Sequence, residues 1–150
     1  MALRHLDRRA YGTAELKAVL VRKGASEDVV DEVLARLTAV GLLDDDAYAQ
    51  ALVEQRHEGR HMSRRAVAIE LHRRGLPAGV VESATDGLDD AADWQGARQL
   101  ADLRMRRLAG LDEATVRRRL AGALARKGYD PSIVSGVVSQ VMRERAQEEG

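Results

Sequence analysis

The chain has no cysteine, so neither disulfide staples nor thiolate chemistry enters its function. Phenylalanine is absent too, and one Trp and three Tyr are the only aromatics in 150 residues. Any core must therefore be built from Leu, Val and Ala. No apolar run approaches the roughly 20 residues that a membrane helix needs, and no signal-peptide pattern opens the chain. The expected setting is the cytoplasm, with no membrane partner. An excess of one charge is also missing, since 24 Lys and Arg balance 24 Asp and Glu. That balance conceals segregation. Residues 1–45 carry net −1 and residues 46–92 net −2, whereas residues 93–150 carry net +3. Residues 98–127 hold nine cations against Asp102, Asp112 and Glu113. The neutral total thus hides a basic surface and an acidic one.

What the chain does have is one pattern written three times. Leu20-Val21-Arg22-Lys23-Gly24, Leu71-His72-Arg73-Arg74-Gly75 and Leu124-Ala125-Arg126-Lys127-Gly128 each read Leu, any residue, two cations, Gly. Eight residues before the Gly stands Leu16, Val67 or Leu120. Five and six after it stand Val29-Val30, Val80-Val81 or Ile133-Val134. The glycines lie 51 and 53 residues apart, a period that marks stacked supersecondary units. Each copy reads as an amphipathic helix ending in two cations, which suit the negative end of its dipole. Gly then admits the left-handed turn that stops the helix, and a second helix follows. Its start signals are Ser26, Pro77 and Asp130-Pro131.

Reading on in this way predicts nine helices in three units, 1–43, 44–90 and 91–150. The first unit has a short helix over 2–10 with Leu3 and Leu6 inward, a helix capped by Thr13, and a third over 27–40. The second begins at Asp44-Asp45 with Tyr48, Ala51 and Leu52 inward, ends that helix at Gly59, and restarts at Ser63. Its last helix, 78–86, is weak, and 87–93 is the best linker. The third unit has a long helix over about 91–108, one capped by Asp112, and one from Pro131 to about Arg145, with 147–150 frayed. The fold class is all-α, an elongated array of three tandem three-helix repeats. A helix of 11 residues, about 16 Å long, is not stable alone in water, so the units should fold as a coupled array.

Few motifs suggest chemistry. His57-Glu58-Gly59-Arg60-His61 fits H-E-x-x-H literally, but that motif works only on one continuous helix, and Gly59 interrupts it. The two histidines are expected at a solvent-exposed helix-to-loop junction, and a zinc hydrolase is the least favoured reading. Asp44, Asp45 and Asp46 are better explained as an acidic first turn than as a metal cluster. No P-loop or nucleophile elbow appears. Neither a catalytic residue, a metal nor a cofactor is expected.

The Gly-punctuated triple repeat resembles the RecX family. The strongest segment is Gly41-Leu42-Leu43-Asp44-Asp45-Asp46-Ala47-Tyr48-Ala49-Gln50-Ala51-Leu52-Val53-Glu54-Gln55-Arg56, similar to that family's Gly, aromatic, Leu, Asp, Asp, aromatic-Ala and distal Arg. Tyr11-Gly12-Thr13-Ala14-Glu15-Leu16 and Arg64-Arg65-Ala66-Val67-Ala68-Ile69-Glu70-Leu71 are further matches, and the likeness covers about 2–145. Leu42 departs from the usual aromatic, and Gly59-Arg60-His61-Met62 replaces a common Gly-Lys-Gly-Pro. The opening is short for the family, which points to a missing native N-terminal extension.

The resemblance implies a non-enzymatic, monomeric regulator of the RecA recombinase that lies on the RecA–DNA filament. There it would inhibit strand exchange, ATP hydrolysis and coprotease activity. The expected basic face comprises Arg22, Lys23, Arg56, Arg64, Arg65, Arg73, Arg74, Arg98, Arg104, Arg106, Arg107, Arg117, Arg118, Arg119, Arg126 and Lys127, touching phosphate or an acidic protein surface. The alternative is a protein that binds single- or double-stranded DNA directly, through helix pairs and without RecA.

Overall fold

A computed structural model of the protein describes residues 12–150. The expected helix over 2–10, with Leu3 and Leu6, lies outside the described residues. Among those residues the secondary structure is helical throughout. The helices are α1 (Thr13–Arg22), α2 (Glu27–Ala39), α3 (Asp45–Val53), α4 (Arg64–Arg73), α5 (Ala78–Thr85), α6 (Asp90–Met105), α7 (Glu113–Arg126) and α8 (Pro131–Glu149). A π-helical segment, Glu54–Gly59, continues directly from α3.

The glycine punctuation has a common geometry. Gly24, Gly75 and Gly128 have φ of +99°, +78° and +90°. Each glycine N–H donates to the carbonyl three residues back, Val21, His72 or Ala125, at 3.0 Å. The next N–H, of Ala25, Leu76 or Tyr129, reaches the carbonyl five residues back, Leu20, Leu71 or Leu124, at 3.2–3.3 Å. These two bonds are the Schellman cap, which satisfies helix carbonyls that otherwise lack partners. Its apolar signature is present as well: Leu20, Leu71, Leu124, Leu76 and Tyr129 are all buried.

Contacts divide the chain into two units. One takes the chain as far as Val53 together with Ala68–Thr85, and the other takes Glu54–Val67 and Asp86–Gly150. The boundary therefore passes through α4. In the first unit α1 packs on α2 and α3 on α5. Leu16, Leu20, Val30, Leu34, Leu37 and Leu43 form one core cluster there. In the second unit α6, α7 and α8 pack on one another. Ala97, Leu100, Val116, Leu120, Leu124, Val137, Val138 and Val141 lie at their centre.

Several local expectations change. Gly12, not Thr13, is the N-cap of α1, and the Thr13 N–H is taken by Asp45 Oδ1 at 2.8 Å. Ala51 is exposed, because Tyr48, Ala49, Leu52 and Val53 form the buried stripe and a 3.6-residue turn puts Ala51 on the far side. Residues 90–93 open α6 rather than link, since the Asp89 carboxylate accepts from the Ala92 N–H at 2.8 Å. Helix α6 then stops at Met105, while Leu108 still tucks into the core from the following turn. The C-terminal residues do not fray early. Arg145 Nε meets Glu149 Oε1 at 3.0 Å, and the helix runs to Glu149.

Candidate interaction surface

The sixteen basic residues read from the sequence fall into two groups, spent and available. Arg74 belongs to the first. Its Nη1 donates to Tyr48 Oη at 2.8 Å, and its guanidinium lies 3.6 Å from Glu15 and 3.4 Å from Glu70. Tyr48 in turn donates to Glu15 Oε1 at 2.6 Å. Burial works against the Arg74 charge, but Tyr48, Glu70 and Glu15 outweigh it and hold the proton more tightly than usual. The Tyr48 hydroxyl is pushed up by burial and by Glu15. Arg98 is spent in the same way on α8. It bonds the Glu144 carboxylate, Gln140 Oε1 at 3.0 Å and Asp102 at 3.0 Å. The pair agrees on direction: Glu144 raises the Arg98 pKa, and Arg98 lowers that of Glu144. Both arginines fasten helices together and have little charge left for a partner.

Others are placed to act outward. In the first unit Arg22 and Arg73 are exposed and, with Arg74, line a groove of about 470 Å³ where the ends of α1 and α4 meet. Lys23 is exposed beside them. In the second unit Arg104 closes α6, with Arg106 and Arg107 just beyond, all exposed and none in an ion pair among the described residues. Arg117, Arg118 and Arg119 stand in the second turn of α7, which begins at Glu113. The two clusters thus lie on either side of residues 108–116. Arg117 is partnered by Glu113 at 3.3 Å, an exposed pair of small energetic weight. Steps of 100° along a helix fan Arg117, Arg118 and Arg119 over more than half its circumference. Arg117 and Arg118 border an apolar groove between α7 and α8, and Arg119 does not. Arg64, Arg65 and Arg126 are exposed, whereas Arg56 and Lys127 are half-buried.

The expected exposed histidine junction is not what forms. His57 is buried, and its Nδ1 lies 2.9 Å from the Met62 carbonyl oxygen. His61 has φ +56°, and its carbonyl accepts from Tyr129 Oη at 2.7 Å. Burial, then Lys127 and His57, lower the His61 pKa below its ordinary 6.5. The turn between the two rings is π-helical and stops at Gly59, so H-E-x-x-H does not lie along one α-helix. Sequence reasoning missed the residues that bury His57. A Cβ at Gly96 of α6 would come 2.7 Å from Tyr129 Oη and 3.5 Å from His57 Cε1. The available signal was Tyr129 itself, which occupies the buried position after the third glycine.

Three family domains match in chain order: the first three-helix domain of RecX over residues 1–37, the second over 44–84 and the third over 91–138. The chain belongs to the RecX family. The regulatory protein RecX of Mycolicibacterium smegmatis is 44% identical over 143 residues, covering 93% of this chain and 76% of that one. The regulatory protein RecX of Streptomyces coelicolor is 41% identical over 134 residues, covering 89% and 71%. The RecX crystal structure from Lactobacillus salivarius superposes with a TM-score of 0.77 at 19% identity, covering 93% and 90%, which shows a shared RecX fold. The relatives are named as regulators, and no helix among the described residues is long and apolar enough to cross a membrane.

Proposed function

We propose that this RecX-family chain docks on the filament that RecA forms on DNA and restrains its strand exchange, ATP hydrolysis and coprotease action. Recombination and the DNA-damage response would be damped as a result. The protein acts by binding, as a cytoplasmic monomer, and makes no bonds of its own. The observation that supports this reading is the exposed cluster Arg104, Arg106, Arg107, Arg118 and Arg119, none of them in an ion pair among the described residues, with Arg118 acting on Asp112 only at longer range. Such charges favour phosphate or acidic protein surfaces and speed encounter with them. Arg22, Lys23 and Arg73 add a second point of attachment. Weak contacts at separated points reinforce one another through effective concentration. The repeat boundaries 1–43, 44–90 and 91–150 are proposed as the units of duplication, supported by three caps of one geometry.

The test is RecA ATPase on single-stranded DNA with the full chain titrated in. Falling turnover is expected, with binding to DNA alone measured in parallel. No effect at several times filament stoichiometry would refute the reading. Tight, steeply salt-dependent binding to duplex DNA without RecA would replace it with direct DNA binding.

A further inference from the structure

Helices α7 and α8 form an antiparallel hairpin whose two faces differ. The inner face carries Val116, Leu120, Leu124, Val137, Val138 and Val141 into the core. The outer seam between the helices is a groove of about 820 Å³. Its α7 wall is Ala114, Ala121 and Ala125, spaced as one helical stripe, and its α8 wall is Val134, Ser135 and Ser139. Small side chains on both walls keep the groove open. Helix α7 has 14 residues, roughly 21 Å at 1.5 Å per residue, enough to cradle three to four turns of another helix.

The groove is charged at one end only. Arg117 and Arg118 line it near the start of α7. Arg143, exposed, stands one turn beyond Ser139 on α8. Glu113 partners Arg117, Asp112 acts on Arg118 at longer range, and Glu144 near Arg143 is already bound by Arg98, so Arg118 and Arg143 have no ion pair among the described residues and positive charge is left over. An apolar trough with surplus positive charge at its end fits an amphipathic helix that carries carboxylates beside its apolar stripe. A nucleic acid backbone would satisfy the arginines and leave the alanine and valine walls exposed.

We infer that the α7–α8 groove is a docking site for an acidic amphipathic helix of a partner protein. Aliphatic side chains of that helix, three and four residues apart, fill the seam, and its carboxylates pair with Arg118 and Arg143. The groove's chemistry is the same whichever protein carries the helix, so the inference does not depend on the filament reading.

The probe is a fluorescent peptide of about four helical turns, with one Leu/Ala stripe and Glu on the flanking positions. Its controls are the same peptide with Lys for Glu and one with the stripe scrambled. Binding to the full chain is followed by fluorescence anisotropy. The Glu peptide is expected to bind at least roughly tenfold tighter than either control. Arg118→Glu with Arg143→Glu should abolish that advantage. Ala125→Trp and Ser135→Trp fill the seam from exposed positions and should each weaken binding at least about tenfold, with circular dichroism unchanged. Two independent fillings keep the test sound if one disturbs the fold. Arg36→Glu, on α2 of the other unit, should leave binding unchanged. Equal affinity for the three peptides overturns the inference, as does full affinity in both filled variants. Preferential displacement by duplex DNA would make the groove a phosphate site instead. Self-association lost on filling it would make the occupant a second copy. Failure of the unmodified chain to bind the Glu peptide, beside intact filament inhibition, would sink the groove and leave the proposed function standing; the reverse would sink the function alone.

Discussion

Three glycines share one backbone conformation but not one environment, so Gly→Ala should cost different amounts at each. At Gly24 an added Cβ meets nothing within 4 Å. The cost there is the left-handed penalty of about 1–2 kcal/mol, partly offset by about 0.4–1 kcal/mol from a less flexible unfolded chain. At Gly75 the same penalty applies, and the new Cβ lies 2.9 Å from Ala14 Cβ on α1. That atom is fixed to a helix backbone, so relief requires a helix shift, adding about 1–3 kcal/mol. At Gly128 the new Cβ comes 2.7 Å from Ser63 Oγ and 2.9 Å from Ala66 Cβ. Ser63 Oγ also accepts the Ala66 N–H at 3.0 Å, so pushing it aside loses a cap worth about 1 kcal/mol as well. Urea unfolding should therefore rank the losses Gly24 below Gly75 below Gly128. If the two units unfold separately, amide exchange in each gives the same ranking locally. The cause is checked by a double-mutant cycle. Ala14→Gly should recover the clash part of Gly75→Ala, with a coupling of about 1–3 kcal/mol, and leave the φ part in place. Equal losses at all three glycines, or no coupling to Ala14, would refute the reasoning.

Three further outcomes are expected. Tyr48→Phe removes the hydroxyl between Glu15 and Arg74 and should cost about 1–2 kcal/mol in urea unfolding; an unchanged midpoint would show that the two charges need no bridge. His61 is depressed below its ordinary 6.5 by burial first, so the folded state holds it neutral while the unfolded chain takes up a proton sooner. Its stabilisation is complete above pH 6.5 and is lost as pH falls through the lowered folded value. His61→Asn, which tolerates the positive φ, should erase that first acid step in a pH series of thermal melts. Asp112, Asp130 and Glu144, also depressed, lose their contributions only at lower pH. Reversing Arg117, Arg118 and Arg119 to Glu should weaken filament binding at least about tenfold with helicity intact, and unaltered affinity would acquit that cluster.

What the sequence made legible were features carried by local rules. A Schellman cap needs one glycine and two apolar residues at fixed offsets, all within a single helix end. Leu16, Leu20, Leu71, Leu120 and Leu124 could therefore be placed inside from spacing alone, and all are buried. The family likeness rests on the same offsets. What stayed hidden were features decided by partners far along the chain. Glu70–Arg74 and Arg98–Asp102 are visible as pairs four residues apart. Nothing local reveals that Glu15 and Tyr48 close around Arg74, or Glu144 around Arg98, across 26 to 59 residues of chain.

The π-helical segment shows most clearly why. Residues 54–59 read Glu-Gln-Arg-His-Glu-Gly, with no apolar stripe to announce a buried face. An α-helical continuation of α3 would carry the Ala49 and Val53 face on to Arg56. The widened turn shifts the phase by about one residue, and His57 is the side chain enclosed. The Met62 carbonyl accepts the ring's Nδ1 proton, and Gly96 leaves room for the Tyr129 hydroxyl nearby. Replacing Gly96 by Ala puts a methyl 2.7 Å from Tyr129 Oη. The hydroxyl must then give up the His61 carbonyl, and the left-handed His61 loses the bond that holds it. A composition-based reading sees five charged or polar residues and assigns them to solvent. Only His57 among them is buried, and the groups beside it, Gly96 on α6 and the Met62 carbonyl, come to one place only on folding.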